Sequence, residues 1–319
     1  LFLCYVKPVS QILEERGGQE MREKEKKRRA VLWAVFLLIA APGCSALGSS
    51  ALVKRCAIDG LLPTVEDLVD TALRSDDRVL VRATLEADLI LLDTFVARNP
   101  GSRQLLVLAS KLYGYYAFGF VVDEDLDRAR ALYWKGIALG KKALSFNRGF
   151  QKRIDEGEPL YRAVDRLDPE KDVPAAFVTA LNMGLLLICS LEVPEALGEA
   201  NSFRCLAEWV VRHDETYHYG APHTLLGVYF GIMPAVLGGG EEKARREFLR
   251  AIEINDRWLL HYYFYARYVP TLIGDEELFD QLIGHVLGAD SRAVPDSVIL
   301  NEVAKVKARL LQQNRRLYF

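Results

Sequence analysis

Several groupings of residues in this chain could do chemistry. Asp123, Asp125 and Asp127 alternate within Asp123-Glu124-Asp125-Leu126-Asp127, as the carboxylates of a calcium loop do. Such a loop also needs a glycine at its sixth place and a bidentate glutamate at its twelfth, where this chain has Arg128 and Trp134. The run reads instead as an acidic cap at a helix start, where negative charge is favourable against the helix dipole. His213, His218 and His223 are spaced by five. A continuous helix would rotate them away from a common face, and Pro222 interrupts the segment, so a packed His223 is expected rather than a metal ligand. His261 and His285 have no evident partner in the sequence. Gly238-Gly239-Gly240 precede a predicted helix, but no Lys-Ser or Lys-Thr pair follows, and Glu241 and Glu242 would repel a phosphate. They read as a flexible turn. There is no Gly-x-Ser-x-Gly elbow, no HExxH and no carboxylate pair set apart from the general helical charge. No enzyme, metal or cofactor is expected.

The cysteine that could carry chemistry is Cys44. Met21 opens a basic stretch (Arg22, Lys24, Lys26, Lys27, Arg28, Arg29) that runs into the apolar segment from Ala30 to Ala41 and the small residues Ala41-Pro42-Gly43 before Cys44. The apolar segment is short for a membrane span and ends as a cleaved export signal does. A cysteine after small residues resembles the bacterial lipobox, with Ala41 where leucine is usual. This implies a lipid-modified Cys44 and anchoring by more than one acyl chain. The expected organisation is residues 21–43 as a lipoprotein signal peptide, 44–55 as a lipidated tether and 56–319 as the folded domain. Residues 1–20 show no clear pattern and suit a start site placed too early. With Cys4 removed and Cys44 lipidated, Cys56, Cys189 and Cys205 remain, an odd number, and none of the five cysteines pairs at CxxC spacing. Cys189, in the apolar run 185–191, reads as a small buried hydrophobe.

The 319 residues are 50% hydrophobic and 26% charged, enough for a sizeable core, and a net charge of -2 offers a nucleic acid no general attraction. The elements that must position any site are helices throughout. Apolar residues recur at helical spacing, as in Leu85, Leu89, Leu92 and Val96, or Leu278, Leu282 and Val286. Breaks are predicted at Asn99-Pro100-Gly101-Ser102, Asp168-Pro169, Val193-Pro194, Gly238 to Gly240, Val269-Pro270 and Val294-Pro295-Asp296. No strand-like run competes.

Two segments carry a tetratricopeptide signature, in which small and bulky residues at set places let paired helices pack closely. In the first, Tyr113, Tyr116, Ala117 and Phe120 fill helix A, and Ala129, Tyr133 and Gly136 fill helix B. In the second, His223, Leu226, Gly227 and Phe230 are followed, after a five-residue insertion, by Ala244, Phe248 and Ala251. Ala175 to Asp214 has the length of a third pair with a degenerate signature, Ala207 and Val210 falling on its second helix. The predicted fold is therefore an all-α, TPR-like helix-turn-helix solenoid of several stacked antiparallel pairs, its inner wall made mainly of A helices.

The chain resembles the T component associated with TRAP transporters, the TatT family, over about residues 60–312. The carriers are Leu108-Ala109-Ser110-Lys111-Leu112-Tyr113, Tyr116-Ala117-Phe118-Gly119-Phe120, Arg128-Ala129 with Leu132-Tyr133 and Gly136, Gly220-Ala221-Pro222-His223, Gly239-Gly240-Glu241-Glu242-Lys243-Ala244-Arg245, Phe248, Ala251 and Asn301. The resemblance implies a periplasmic homotrimer with a cleft or pore in each subunit. That subunit would dock a substrate-binding protein and pass it a hydrophobic or organic-acid ligand.

In the repeat register, Lys111, Gly114, Phe118 and Val121, then Thr224, Val228 and Gly231, face inward. This mostly apolar wall suits a hydrophobic ligand. Most of the aromatics around Tyr113 to Phe120 and Trp258 to Tyr268 read as core. The expected function is a non-catalytic, lipid-anchored transporter accessory. The alternative is a lipoprotein scaffold for cell-envelope assembly.

Overall fold

The computed structural model describes residues 63–319. Cys44, the predicted signal and the tether lie outside the described residues. Short polar side chains start many of the helices by accepting from free backbone amides. After α1 (63–73), Asp77 caps α2 (Arg78–Arg98), and Ser102 caps α3 (Arg103–Tyr116), which runs on as a π-helical turn over Ala117–Val121. Asp125 caps α4 (Leu126–Leu144), and Asn147 caps α5 (Arg148–Asp155). Next come α6 (Val173–Ile188), α7 (Ala200–His213), α8 (Tyr217–Ile232), α9 (Glu241–Ile254) and α10 (Leu260–Tyr268). The chain closes with α11 (Glu276–Gly288, capped by Asp275) and α12 (Val298–Gln313). The predicted breaks all fall between helices or start single turns, as Pro194, Pro270 and Pro295 do. No strand occurs among the described residues.

The elements stack as antiparallel pairs, α3 with α4, α6 with α7, and α8 with α9. Helices α3, α6, α8 and α10 also touch in sequence, so the A helices form one continuous layer behind which the B helices lie. The middle pair, degenerate in sequence, is locked as firmly as its neighbours. A Cβ at Gly184 would meet the Phe203 ring at 2.8 Å, just as one at Gly227 would meet the Phe248 ring at 2.8 Å. Ala129, Ala244 and Ala251 are fully buried at their B-helix places. Asn301 of α12 ties down two loops that precede it. Its Oδ1 accepts from Leu259 N, and its Nδ2 donates to the carbonyls of Arg257 and Ser291.

The acidic run caps α4. Asp125 accepts from Arg128 N at 2.9 Å, while Glu124 and Asp123 pair with Arg82 and Lys307. At the glycine turn the amides of Gly238, Gly239 and Gly240 donate to the carbonyls of Ala235, Pro234 and Phe230. None is left for an anion, and a Cβ at Gly239 would lie 1.8 Å from the Met233 carbonyl oxygen. Cys189 corrects the expectation of burial. It sits half-buried at the end of α6, where its carbonyl accepts from Arg130.

Candidate functional site

The A helices run past two cavities in succession. The first is a cleft of about 380 Å³ lined by Glu66 and Asp70 of α1, Leu108 and Lys111 of α3, Val178 of α6 and Tyr217 at the start of α8. One turn further along the same helices lies a small apolar chamber of about 40 Å³. Its wall is Tyr115 and Phe118 of α3, Phe177, Leu181 and Leu185 of α6, and His218, Thr224 and Val228 of α8. Trp258 of the loop before α10, Phe264 of α10 and Leu300 of α12 line its far side. Beyond Phe118, whose ring stands 6.4 Å from Tyr263 and 4.4 Å from the Lys307 ammonium, a third hollow of about 350 Å³ opens among Asp123, Arg267, Lys307 and Tyr318.

The seven predicted wall residues divide. Phe118, Thr224 and Val228 line the chamber, and Lys111 lines the cleft that precedes it. Gly114 faces Asn182 of α6, and Gly231 abuts Tyr268 of α10, each so closely that a Cβ would fall 3.0 and 2.8 Å from its neighbour. Val121 is buried at the end of the π turn and lines neither cavity. On α3 the inward line therefore passes through Leu108, Lys111, Tyr115 and Phe118, so Tyr115 holds the place expected for Gly114. Tyr115 stands four residues from Lys111 on one helical face, a relation readable from spacing. No local signal marks His218 or Trp258.

Polar groups in the chamber wall are almost all satisfied by one another. The Tyr115 hydroxyl and His218 Nε2 share a hydrogen bond of 2.5 Å, and their rings stack at 5.9 Å. His261 Nε2–H donates to the Tyr219 carbonyl at 2.9 Å, which leaves its Nδ1 to accept from the Thr224 hydroxyl at 2.5 Å. Both imidazoles are neutral. Burial foremost, then the Lys111 charge, pushes His218 down to about 3, and burial takes His261 to about 3 as well. Burial also lowers Lys111, with Asp70 and Glu66 opposing. The Trp258 indole N–H, buried on the chamber wall, has no partner.

The other histidines are structural. His223, at its helix-A place, lies between Glu247 at 2.7 Å and Glu215 at 3.3 Å; His213 Nδ1–H donates to the Trp209 carbonyl, and the His285 ring lies tilted against Tyr262. A wider depression of about 830 Å³ along α9 is lined by Glu241, Arg245 and Arg250, whose charges pair with one another or with Glu215 and Glu253. Among the described residues no group of three or more His, Cys, Asp or Glu could hold a metal ion, and no helix is long and apolar enough to cross a membrane.

Comparison with known proteins adds one finding. The family model described as TRAP transporter T-component matches residues 74–319, from the end of α1 to the last residue. No curated protein matches.

Proposed function

The chain belongs to the TRAP transporter T-component family, and from that premise we propose that it serves its transporter as a lipid-anchored periplasmic accessory. It docks the substrate-binding protein and holds an apolar ligand among its A helices. The chamber carries the ligand part of this reading. Its wall is aromatic and aliphatic, its few polar groups are mutually bonded, and the free indole N–H of Trp258 offers one donor to an acceptor on an entering molecule. Phe118, Thr224 and Val228 are the proposed ligand contacts, with Lys111 in the outer cleft. Cys44 is the proposed lipidation site, and the proposed assembly is a homotrimer.

The test is retention of a partner by the immobilised protein from periplasmic extract, with mass spectrometry of retained proteins and small molecules. Recovery of a TRAP-type substrate-binding protein is the expected outcome. Recovery of envelope-assembly proteins alone would favour a scaffold. A stable monomer at micromolar concentration would count against the trimer.

A further inference from the structure

The chamber is small. It holds about 40 Å³, while a drug-sized ligand needs roughly 300 Å³ or more, so a ligand can enter only if part of the wall moves. One segment of that wall is strained. His218, Tyr219 and Gly220 have φ of 47°, 65° and 84°, a left-handed turn inside α8 that ends where the right-handed helix resumes. His218 and Tyr219 are the non-glycine residues with positive φ among the described residues. Such a conformation costs about 1–2 kcal/mol per residue for an L-amino acid and persists only where surrounding contacts hold it.

The Gly220 amide donates to the Thr216 carbonyl at 3.2 Å, and the contacts on His218 and Tyr219 come from the site. The Tyr115 hydroxyl holds the His218 ring, His261 holds the Tyr219 carbonyl, and Phe177 and Trp258 flank the imidazole with ring centroids at 5.4 and 5.5 Å. The turn also sits at the boundary of the two cavities, since Tyr217 lines the outer cleft and His218 lines the chamber.

We propose that His218 is the gate between the Lys111 cleft and the apolar chamber, latched shut by Tyr115 and opened when the left-handed turn relaxes. The proposal rests on the reading that the chamber takes an apolar ligand. Relaxation of 218 and 219 toward right-handed backbone relieves the strain and withdraws the imidazole from between Tyr115 and Phe177. The closed state is favoured by its hydrogen bonds and ring contacts, the open state by released strain. Such a balance is easily tipped by a ligand or by a docked partner.

The experiment uses the neutral fluorophore N-phenyl-1-naphthylamine and the full chain, with binding followed by stopped-flow fluorescence. With the parent protein, the observed rate should level off at high probe concentration, because opening limits entry. Tyr115→Phe removes the latch hydroxyl and keeps the ring. It should raise the plateau rate and tighten Kd together by roughly five-fold or more, while the dissociation rate stays within about two-fold. A purely structural wall residue would weaken Kd instead. Val228→Trp, which fills the chamber, should abolish the signal; Leu181→Phe fills it from the facing helix if the first variant fails to fold. An unchanged plateau rate in Tyr115→Phe, with both filling variants silent, overturns the gate alone. A signal that survives chamber filling overturns the chamber reading and the gate with it.

Discussion

Asn182 of α6 packs so tightly over Gly136 of α4 that a Cβ at 136 would lie 2.3 Å from its Oδ1. Its Nδ2 donates to the carbonyls of Ser110 and Val178, and Ser110 Oγ in turn donates to the Gly136 carbonyl. This node welds the first helix pair to the second at the place where the repeat signature asks for a small residue. Gly136→Ala should therefore destabilise the protein by about 1–3 kcal/mol through overpacking. Gly284, within α11, has nothing within 4 Å of its Cβ position. There alanine should stabilise by about 0.5–1 kcal/mol through helix propensity. Urea denaturation of the two variants checks both signs, and equal effects would refute the packing argument.

Ala129 and Ala251 are fully buried on the B helices of different pairs. Leucine at either should cost about 1–3 kcal/mol. Parent-like melting of both variants would mean that the helix pairs do not meet in the register described.

Lys307 is 4% exposed, while its partner Asp123 is 47% exposed at 2.7 Å. Burial lowers the Lys307 ammonium and Asp123 pulls it back up. Asp123→Ala strands a buried cation and should cost about 3 kcal/mol. Lys307→Met leaves only a carboxylate that water can reach, and should cost less than about 1 kcal/mol. Thermal melts that rank the two variants in the opposite order would show the pair to be more hydrated than its burial indicates.

His218 and His261 are both held near 3, against 6.5 for an ordinary histidine. Below pH 6.5 the unfolded chain takes up protons that the native state refuses. Their contribution is therefore intact above pH 6.5 and is lost as pH falls from 6.5 toward 3. The loss is up to about 1.4 kcal/mol per pH unit for each histidine. Ordinary carboxylates are still largely ionised at pH 5, so the urea midpoint should already fall between pH 7 and pH 5. A flat profile over that interval would contradict the neutral, buried state of both rings.

Cys44→Ala should leave an unprocessed precursor in the membrane fraction, unlabelled by fatty acid. Normal processing of the variant would rule out the lipobox reading and leave the fold untouched.

Much of the architecture could be read from the chain. Periodicity at 3.6 residues, proline and glycine punctuation, and small residues such as Ala129 and Gly227 opposite bulky ones are local patterns, and they suffice for an all-helical stack and its paired helices. The middle pair is harder to recognise because its lock, Gly184 against Phe203, lacks the other signature residues around it, although the two stand no further apart in sequence than Gly227 and Phe248. The inner wall was legible only in part. Counting along one helix reaches Lys111, Phe118, Thr224 and Val228, which stand on the cavity walls. Whether the residue between Lys111 and Phe118 that faces the chamber is Gly114 or Tyr115 depends on how α3 is rotated against α6, and Asn182 decides that by occupying the space over Gly114. The left-handed turn at His218 lies furthest from what sequence determines. Its intrinsic preference is against that conformation, and the converging contacts of Tyr115, Phe177, Trp258 and His261, brought together from three separate stretches of the chain, hold it there.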